Sequence, residues 1–163
     1  MQLLACSVWL FSSCNSIDLY EKVVPIPAHA WQSKLKPQFT FQIKDTTVPY
    51  QFYVILRHSN QYKYNNIWVN LLAQSPADTV QKLSLELPLA NKDGWLGTGM
   101  DDIFEHRIRI GPEAAKFSFL TPAADGFLFT HAGQYSFTLE QIMRDDPLTD
   151  VMDVGFRLEK KLQ

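Results

Sequence analysis

Apolar side chains recur at every second position along most of this sequence. In one run, Leu83, Leu85 and Leu87 alternate with Ser84 and Glu86. Successive side chains of a β-strand point to opposite faces, so this pattern predicts a strand with one face on a core and one in water. The other runs with the same alternation are 39–43, 50–56, 67–71, 108–110, 135–139 and 154–158. The body of the chain is therefore predicted to be β-structure.

Turn-forming pairs separate these runs. They include Ser59-Asn60, Ser75-Pro76, Asp93-Gly94, Gly111-Pro112, Asp125-Gly126 and Ala132-Gly133. Short strands with such connections predict an all-β fold, an antiparallel β-sandwich of about 7–9 strands that is Ig-like or jelly-roll-like. At most a short helical turn is expected near residues 140–145, because Pro147 closely follows.

The charge balance excludes one class of partner. The 163 residues fit a single domain and carry 17 acidic and 15 basic residues, a net charge of −2. A protein that binds nucleic acid needs a basic surface to neutralise phosphates. We therefore expect no nucleic-acid partner.

The N-terminus has the pattern of a lipoprotein signal. Residues 3–13 read LLACSVWLFSS, an uncharged run too short to cross a bilayer but typical of the apolar centre of a secretory signal. It ends in Leu10-Phe11-Ser12-Ser13-Cys14, which resembles a bacterial lipobox, where the cysteine becomes acylated. This predicts a signal peptide over residues 1–13 and a lipid on Cys14. An ordinary cleaved signal or a buried N-terminal strand are the alternatives.

Domain boundaries follow from the segment after Cys14. Pro25 and Pro27 favour an extended chain over a helix, which predicts a tether over residues 14–34 and a β-sandwich domain over 35–163. Both cysteines, Cys6 and Cys14, lie in the first 14 residues, so the body contains none. This distribution fits an exported domain.

The stretch DGWLGTGMDD at residues 93–102 is the most unusual motif. A phosphate-binding loop would need a following helix, whereas the next residues alternate like a strand. A calcium loop would draw on Asp93, Asp101, Asp102 and Glu105, but their spacing is not that of an EF-hand. The favoured interpretation is structural: Gly94, Gly97 and Gly99 adopt positive φ in a tight connection, and Trp95 packs across the sandwich edge.

Catalytic and metal-binding patterns do not stand out. The histidines His29, His58, His106 and His131 are widely separated, and no Gly-x-Ser-x-Gly motif occurs. We therefore predict no catalytic residues, no metal and no cofactor. A pair of distant glycosidase carboxylates stays an open alternative. The aromatic stretch 61–68, QYKYNNIW, leaves sugar binding open as well.

Several segments together carry a family resemblance. They are LYEK at 19–22, YNNIW at 64–68, WLGTG at 95–99, GQYSF at 133–137 and DVGFRLEK at 153–160, after the lipoprotein-like start. The chain resembles the gliding-motility lipoprotein GldH family over nearly all of its mature length. The resemblance implies a non-enzymatic envelope lipoprotein, anchored through Cys14 and facing the periplasm. The implied partners are other envelope proteins of the motility and secretion machinery, with no small-molecule substrate.

Loops held by a rigid scaffold often carry binding contacts, so Trp95, Asp101 and Asp102 are candidate partner-contact residues. The alternative function is a carbohydrate- or calcium-binding β-sandwich module of the envelope.

Overall fold

The structure, a computed structural model, describes residues 19–161, which are almost entirely strands and turns. The strands are β1 (Leu19–Pro25), β2 (Ala30–Trp31), β3 (Gln38–Ile43), β4 (Tyr50–Ser59), β5 (Asn66–Gln74), β6 (Gln81–Pro88), β7 (Ala90–Asn91), β8 (Gly94–Trp95), β9 (Thr98–Met100), β10 (Ile103–Ile110), β11 (Leu120–Ala123), β12 (Gly126–Phe129), β13 (Gly133–Gln141), β14 (Leu148–Thr149) and β15 (Val151–Lys160). The helical content of these residues is one 3-10 turn at Pro27–His29. No helix within residues 19–161 has the length and apolar character needed to span a bilayer.

Two antiparallel sheets form the body of the protein. The first sheet has the strand order β1-β15-β4-β10-β9, with the β11–β12 hairpin attached to β4. The second sheet has the order β3-β13-β5-β6. Each predicted alternating run lies within one of these strands, and the predicted all-β antiparallel sandwich is confirmed.

Phenylalanine side chains fill the space between the sheets. The Phe156 ring of β15 lies 5.0 Å from Phe137 of β13 and 5.8 Å from Phe39 of β3, measured between ring centroids. Phe52 of β4 lies 5.6 Å from Phe137. Each such ring contributes roughly 1.5–3 kcal/mol by leaving water. The alternation in the sequence therefore decides which face of each strand turns inward.

Part of the segment predicted as a tether, residues 14–34, is a paired strand in the structure. Residues 19–25 form β1, which pairs along its whole length with β15, and the Trp31 side chain is fully buried. Trp31 Nε1 donates a hydrogen bond of 2.8 Å to the Leu35 carbonyl oxygen. Prolines exclude helix but permit an edge strand, which is why the sequence could not separate the two states. The predicted signal peptide and Cys14 lie outside the described residues.

The sandwich also has more strands than the sequence indicated. The additional strands β2, β7, β8, β9, β11, β12 and β14 contain two to four residues each. Runs this short show no alternation, so the pattern could not reveal them. Near residues 140–145 the chain has no helix: β13 ends at Gln141 and a bend follows.

Candidate functional site

The DGWLGTGMDD stretch forms parts of two consecutive hairpins at one end of the sandwich. Strands β7 and β8 pair around the two-residue turn Lys92-Asp93, and β9 and β10 pair around Asp101-Asp102. Gly94 has φ of +121°, a conformation that side-chain-bearing residues rarely adopt. The structural interpretation of this stretch is therefore correct for Gly94.

The other two glycines have a different role from the one predicted. Gly97 and Gly99 do not adopt positive φ; they allow close approach to β10. A Cβ on Gly97 would lie 2.4 Å from the Glu105 carbonyl oxygen, and one on Gly99 would lie 2.6 Å from Cε1 of Phe104. The expectation of three positive-φ glycines was wrong for these two.

Trp95 is half-buried and covers an aromatic cluster between β4 and β10. Its ring centroid lies 4.4 Å from that of His58 in an edge-to-face arrangement, 5.7 Å from Phe104 and 6.4 Å from Tyr62. Such contacts add to the free energy gained by burying the ring. Trp95 thus packs at the sandwich edge, as predicted, and its main contacts are within the protein.

Beneath Trp95 lies a buried pair of histidines. His58 Nε2 and His106 Nε2 are 2.9 Å apart, and His58 Nδ1 lies 2.7 Å from the Ser59 carbonyl oxygen. A carbonyl only accepts, so Nδ1 of His58 donates to it, which leaves His58 Nε2 to accept the hydrogen bond donated by His106 Nε2. This tautomer assignment satisfies both contacts with two neutral rings.

Both histidines have lowered pKa values. Burial is the main cause for each, because a charged imidazolium loses hydration inside the protein. The pKa of His106 falls to about 4, with a further contribution from neighbouring His58. The pKa of His58 is also lowered, against opposing effects from its hydrogen bond with the Ser59 carbonyl and from Asp150. The pair is therefore neutral at physiological pH.

From the sequence, these histidines were considered only as metal ligands, and no metal site was expected. A usable signal was present, since His58 continues the inward series of Phe52, Val54 and Leu56 on β4. His106 has the same parity as buried Ile110 on β10. Their inward positions indicate core histidines, but only the strand register brings the two rings together.

Asp101 and Asp102 are both exposed at the tip of the β9–β10 hairpin, but they differ in their contacts. Asp102 is fixed: its carbonyl oxygen accepts from the Asn60 backbone N–H at 2.8 Å, and its Oδ1 accepts from Asn60 Nδ2 at 2.7 Å. Asp101 has φ of +54°, and within residues 19–161 its carboxylate forms no hydrogen bond or ion pair. Asp101 is thus the acid available at this tip.

A groove of about 900 Å³ opens beside the hairpin. Its rim contains exposed apolar side chains: Met100 is 80 % exposed, Leu96 52 % and Ile103 39 %. Residues from Glu105 to Ile108 of β10 line one wall, and Pro88 at the end of β6 also contributes. The groove is open and mainly apolar.

The residues considered for metal and sugar binding do not come together here. Within residues 19–161 no three His, Cys, Asp or Glu side chains form a group that could hold a metal ion. In the aromatic stretch 61–68, Tyr62 is buried and the Tyr64 hydroxyl donates to Asp145 Oδ2 at 2.6 Å. Trp68, by contrast, is 41 % exposed, on β5 of the other sheet.

The start of β1 and the hairpin tip lie at opposite ends of the first sheet. Leu19 pairs with Glu159, which pairs with Gln51 near the start of β4. Ile103, next to the Asp101-Asp102 turn, pairs with Ser59 at the end of β4. Ser59 lies eight positions after Gln51, or about 26 Å further along the strand.

Comparison with known proteins identifies the family to which the chain belongs. The model of the family described as "GldH lipoprotein" matches residues 18–158. The chain is 28 % identical to "Gliding motility lipoprotein GldH" of Flavobacterium johnsoniae, over 98 % of this chain and 94 % of that protein. It is 26 % identical to a "Gliding motility lipoprotein GldH homolog" of Christiangramia forsetii, over 94 % of this chain and 91 % of that protein.

A structural likeness adds nothing to this assignment. The infectious bursal disease virus VP2 subviral particle aligns with 94 % of this chain and 37 % of that chain at a TM-score of 0.32 and 10 % identity. That similarity is too low to carry an argument. The family match covers most of the residues that build both sheets and the hairpin site, and on this basis the chain belongs to the GldH lipoprotein family.

Proposed function

We propose that this protein is a non-enzymatic lipoprotein of the cell envelope that supports gliding motility by binding other proteins of the motility machinery. The observation that carries this proposal is the match of residues 18–158 to a family whose relatives are named as gliding motility lipoproteins. A lipid on Cys14 would hold the protein in a membrane with the sandwich facing the periplasm.

The geometry supports a division between an anchor end and a contact end. Residues 14–18 can span at most about 17 Å, so a lipid on Cys14 keeps Leu19 near the bilayer surface. The tip at Asp101 and Asp102 lies at the far end of β4 from Leu19. A partner could therefore reach this tip without competing with the membrane.

Asp101 and Asp102 are the first residues to test as partner contacts. The double change Asp101→Asn and Asp102→Asn removes both charges, keeps an acceptor for Asn60, and retains a residue type that tolerates positive φ. We expect slower gliding at an unchanged protein level and melting temperature. Glu113→Gln is the matched control, since this exposed acid follows β10 at the opposite end of the sheet.

Equal gliding by the double variant and the control would contradict the contact assignment. The anchor is tested separately with Cys14→Ala, for which we expect loss from the membrane fraction and loss of gliding. Membrane retention with normal gliding would contradict the anchor. Calorimetric titration with Ca²⁺ and with oligosaccharides tests the alternative of a ligand-binding module, for which binding at micromolar concentrations would be required.

A further inference from the structure

The segment that covers the two buried histidines has few other buried contacts. Of residues 91–102, Trp95 and Gly97 are half-buried and the others are exposed. The Trp95 ring centroid lies 4.4 Å from that of His58. The Gly97 backbone approaches His106 so closely that an added Cβ would lie 2.9 Å from Cε1 of that ring. The inner side of this segment therefore rests largely on the histidine pair.

Both ends of the segment are fixed to the rest of the protein. Leu89 is fully buried, and its N–H donates to the Asn65 carbonyl oxygen at 2.8 Å. At the other end, Asp102 is held by its two hydrogen bonds with Asn60. Between these ends, residues 94–100 are joined to their neighbours by the short β7–β8 and β9–β10 ladders. We call residues 94–100 the flap, since a short segment with few buried contacts belongs to the part of a protein that opens at low cost.

The pair under the flap is suited to neutral rings and not to a charge. Because His58 Nδ1 donates to the Ser59 carbonyl, a proton on His58 Nε2 would direct two N–H groups at each other across 2.9 Å. A proton on His106 Nδ1 would keep the hydrogen bond between the rings. It would still place an imidazolium in a buried aromatic cluster, away from water. Either form is destabilised while the flap is closed.

The groups that face the pair offer little compensation for a charge. Asp150, just before β15, is the acid that favours a charged His58, and its Oδ1 already accepts from the Ser59 hydroxyl at 2.9 Å. In the loop after β4, burial raises the pKa of Tyr62, so its hydroxyl stays neutral. The other side chains in ring contact with the pair, from β8 and β10, are uncharged: Trp95 and Phe104.

The charged residues next to the two histidines along β4 and β10 point to the opposite face of the first sheet. They form two ion pairs there: Arg107 with Glu105 at 3.2 Å and Arg57 with Asp153 at 2.5 Å. A charged histidine pair therefore gains most from water, and the flap is the part of its surroundings that can move to admit water.

We propose that residues 94–100 are a flap that opens in acid. Proton uptake by the His58–His106 pair displaces Trp95 and Gly97 from the two rings, and water then hydrates the charge. The fixed ends of the flap keep the rest of the sandwich folded while it opens.

The flap carries part of the candidate contact surface. Leu96 and Met100 belong to it, and Asp101 follows directly. Opening changes the positions of these side chains, so acid would weaken the contact of a partner with the hairpin tip. This consequence rests on the proposed function, whereas the opening itself is a property of the isolated protein.

Hydrogen exchange measured by mass spectrometry tests the flap on the full chain in a non-ionic detergent. Exchange of the flap and of β13 is followed at pH 7.5 and 5.0 and corrected for the intrinsic effect of pH on exchange. The pKa of His106 is about 4 under the closed flap, against an ordinary value of 6.5. Since the open form binds the proton more tightly, the opening equilibrium constant should rise about 25-fold between these pH values. Peptides from β13 should stay protected over the same labelling times.

Two histidine variants locate the titrating group. His106→Gln keeps a donor for His58 Nε2 but does not titrate, so the rise in flap opening should become at least fivefold smaller, leaving the part due to His58. His131→Gln is the matched control: it changes an exposed histidine outside the cluster and should leave the rise unchanged. Each variant is compared with itself at the two pH values, so a lower starting protection does not obscure the result.

A second measurement needs no substitution. In the closed flap the Leu96 N–H donates to the Leu89 carbonyl oxygen at 2.8 Å, so this amide reports on opening. Imidazole NMR signals of His58 and His106 report on proton uptake. Ring protonation and loss of protection at Leu96 should occur over the same pH range, and both should reverse on return to pH 7.5.

Four outcomes would overturn the proposal: no rise in flap exchange, a parallel loss of protection in β13, an equal rise in His106→Gln, or protonated rings with Leu96 still protected. None of them bears on the proposed function, which is read from gliding of the Cys14→Ala strain. A flap that opens in acid in a protein whose strain glides normally without Cys14 would keep this inference and reject the anchor.

Discussion

The Nε2 atoms of His58 and His106 lie 2.9 Å apart in the interior of the sandwich, directly beneath Trp95. The two residues are 48 positions apart in the sequence, and the pairing of β4 with β10 brings them together. This contact joins the scaffold to the hairpin that carries the candidate contact surface. Its hydrogen bond requires an unprotonated Nε2 on His58, and burial disfavours the charged form of both rings, so the pair also connects the stability of that end to pH.

Acidification should lower the stability of the folded protein through this histidine pair. The pKa of His106 is about 4 in the folded protein, below the ordinary value of 6.5. The unfolded chain therefore takes up a proton between pH 6.5 and 4 that the folded protein does not, so stability is complete above 6.5 and falls as pH decreases. We expect a loss of about 3 kcal/mol by pH 4, measured by urea denaturation.

His106→Gln provides the control for this pH dependence. The amide can still donate to His58 Nε2 but does not titrate. We expect the decline between pH 6.5 and 4.5 to become shallower, with the part due to buried His58 remaining, while the loss below 4.5 from carboxylates such as Glu140 persists. An unchanged slope in the variant would assign the pH dependence to other groups.

Truncation of Trp95 should destabilise the protein. Trp95→Ala removes the contacts with His58 and Phe104, and we expect a loss of about 3 kcal/mol in the free energy of unfolding. Trp68→Ala is the matched control, because that ring is 41 % exposed and should cost less than about 1 kcal/mol. Similar losses for the two variants would show that Trp95 is not packed as described.

Gly97 should not tolerate a side chain. Its added Cβ would lie 2.4 Å from a backbone oxygen of β10, so Gly97→Ala must displace the hairpin. We expect a cost of about 2 kcal/mol in thermal unfolding. At Gly111 the atoms nearest to an added Cβ belong to the flexible end of the Glu113 side chain, and Gly111→Ala should be nearly neutral. Equal effects would mean that β9 moves freely away from β10.

Limited proteolysis distinguishes an edge strand from a tether at the N-terminus. Lys22 lies in β1, which pairs with β15 and is linked to it by the 2.6 Å ion pair of Glu21 with Arg157. Lys92 lies in an exposed two-residue turn. We expect trypsin to cleave after Lys92 before Lys22, measured by mass spectrometry over time. Rapid cleavage after Lys22 would support a tether instead.

The alternation of apolar residues predicted much of the fold, but the sequence predicted only part of the candidate site. Trp95 was correctly predicted at the sandwich edge, because a glycine-rich segment forms a tight connection between strands, and such connections lie at the edge of a sandwich. The roles of Gly97 and Gly99 were missed, because the sequence does not show which backbone passes nearby. The histidine cluster was missed for the same reason: His58 and His106 share inward positions, and their contact depends on register.

The sequence by itself determined that this chain forms antiparallel strands with one apolar face, because a period of two fits only a pleated strand. It also carried the resemblance to the GldH lipoprotein family, in segments such as Trp95–Gly99 and Asp153–Lys160, and the match over residues 18–158 confirmed that family. Tertiary structure alone decided that residues 19–25 complete the first sheet, that His58 meets His106, and that Gly97 lies against β10. These features depend on pairing between distant strands, and pairing is settled by how the two sheets bury their phenylalanines together.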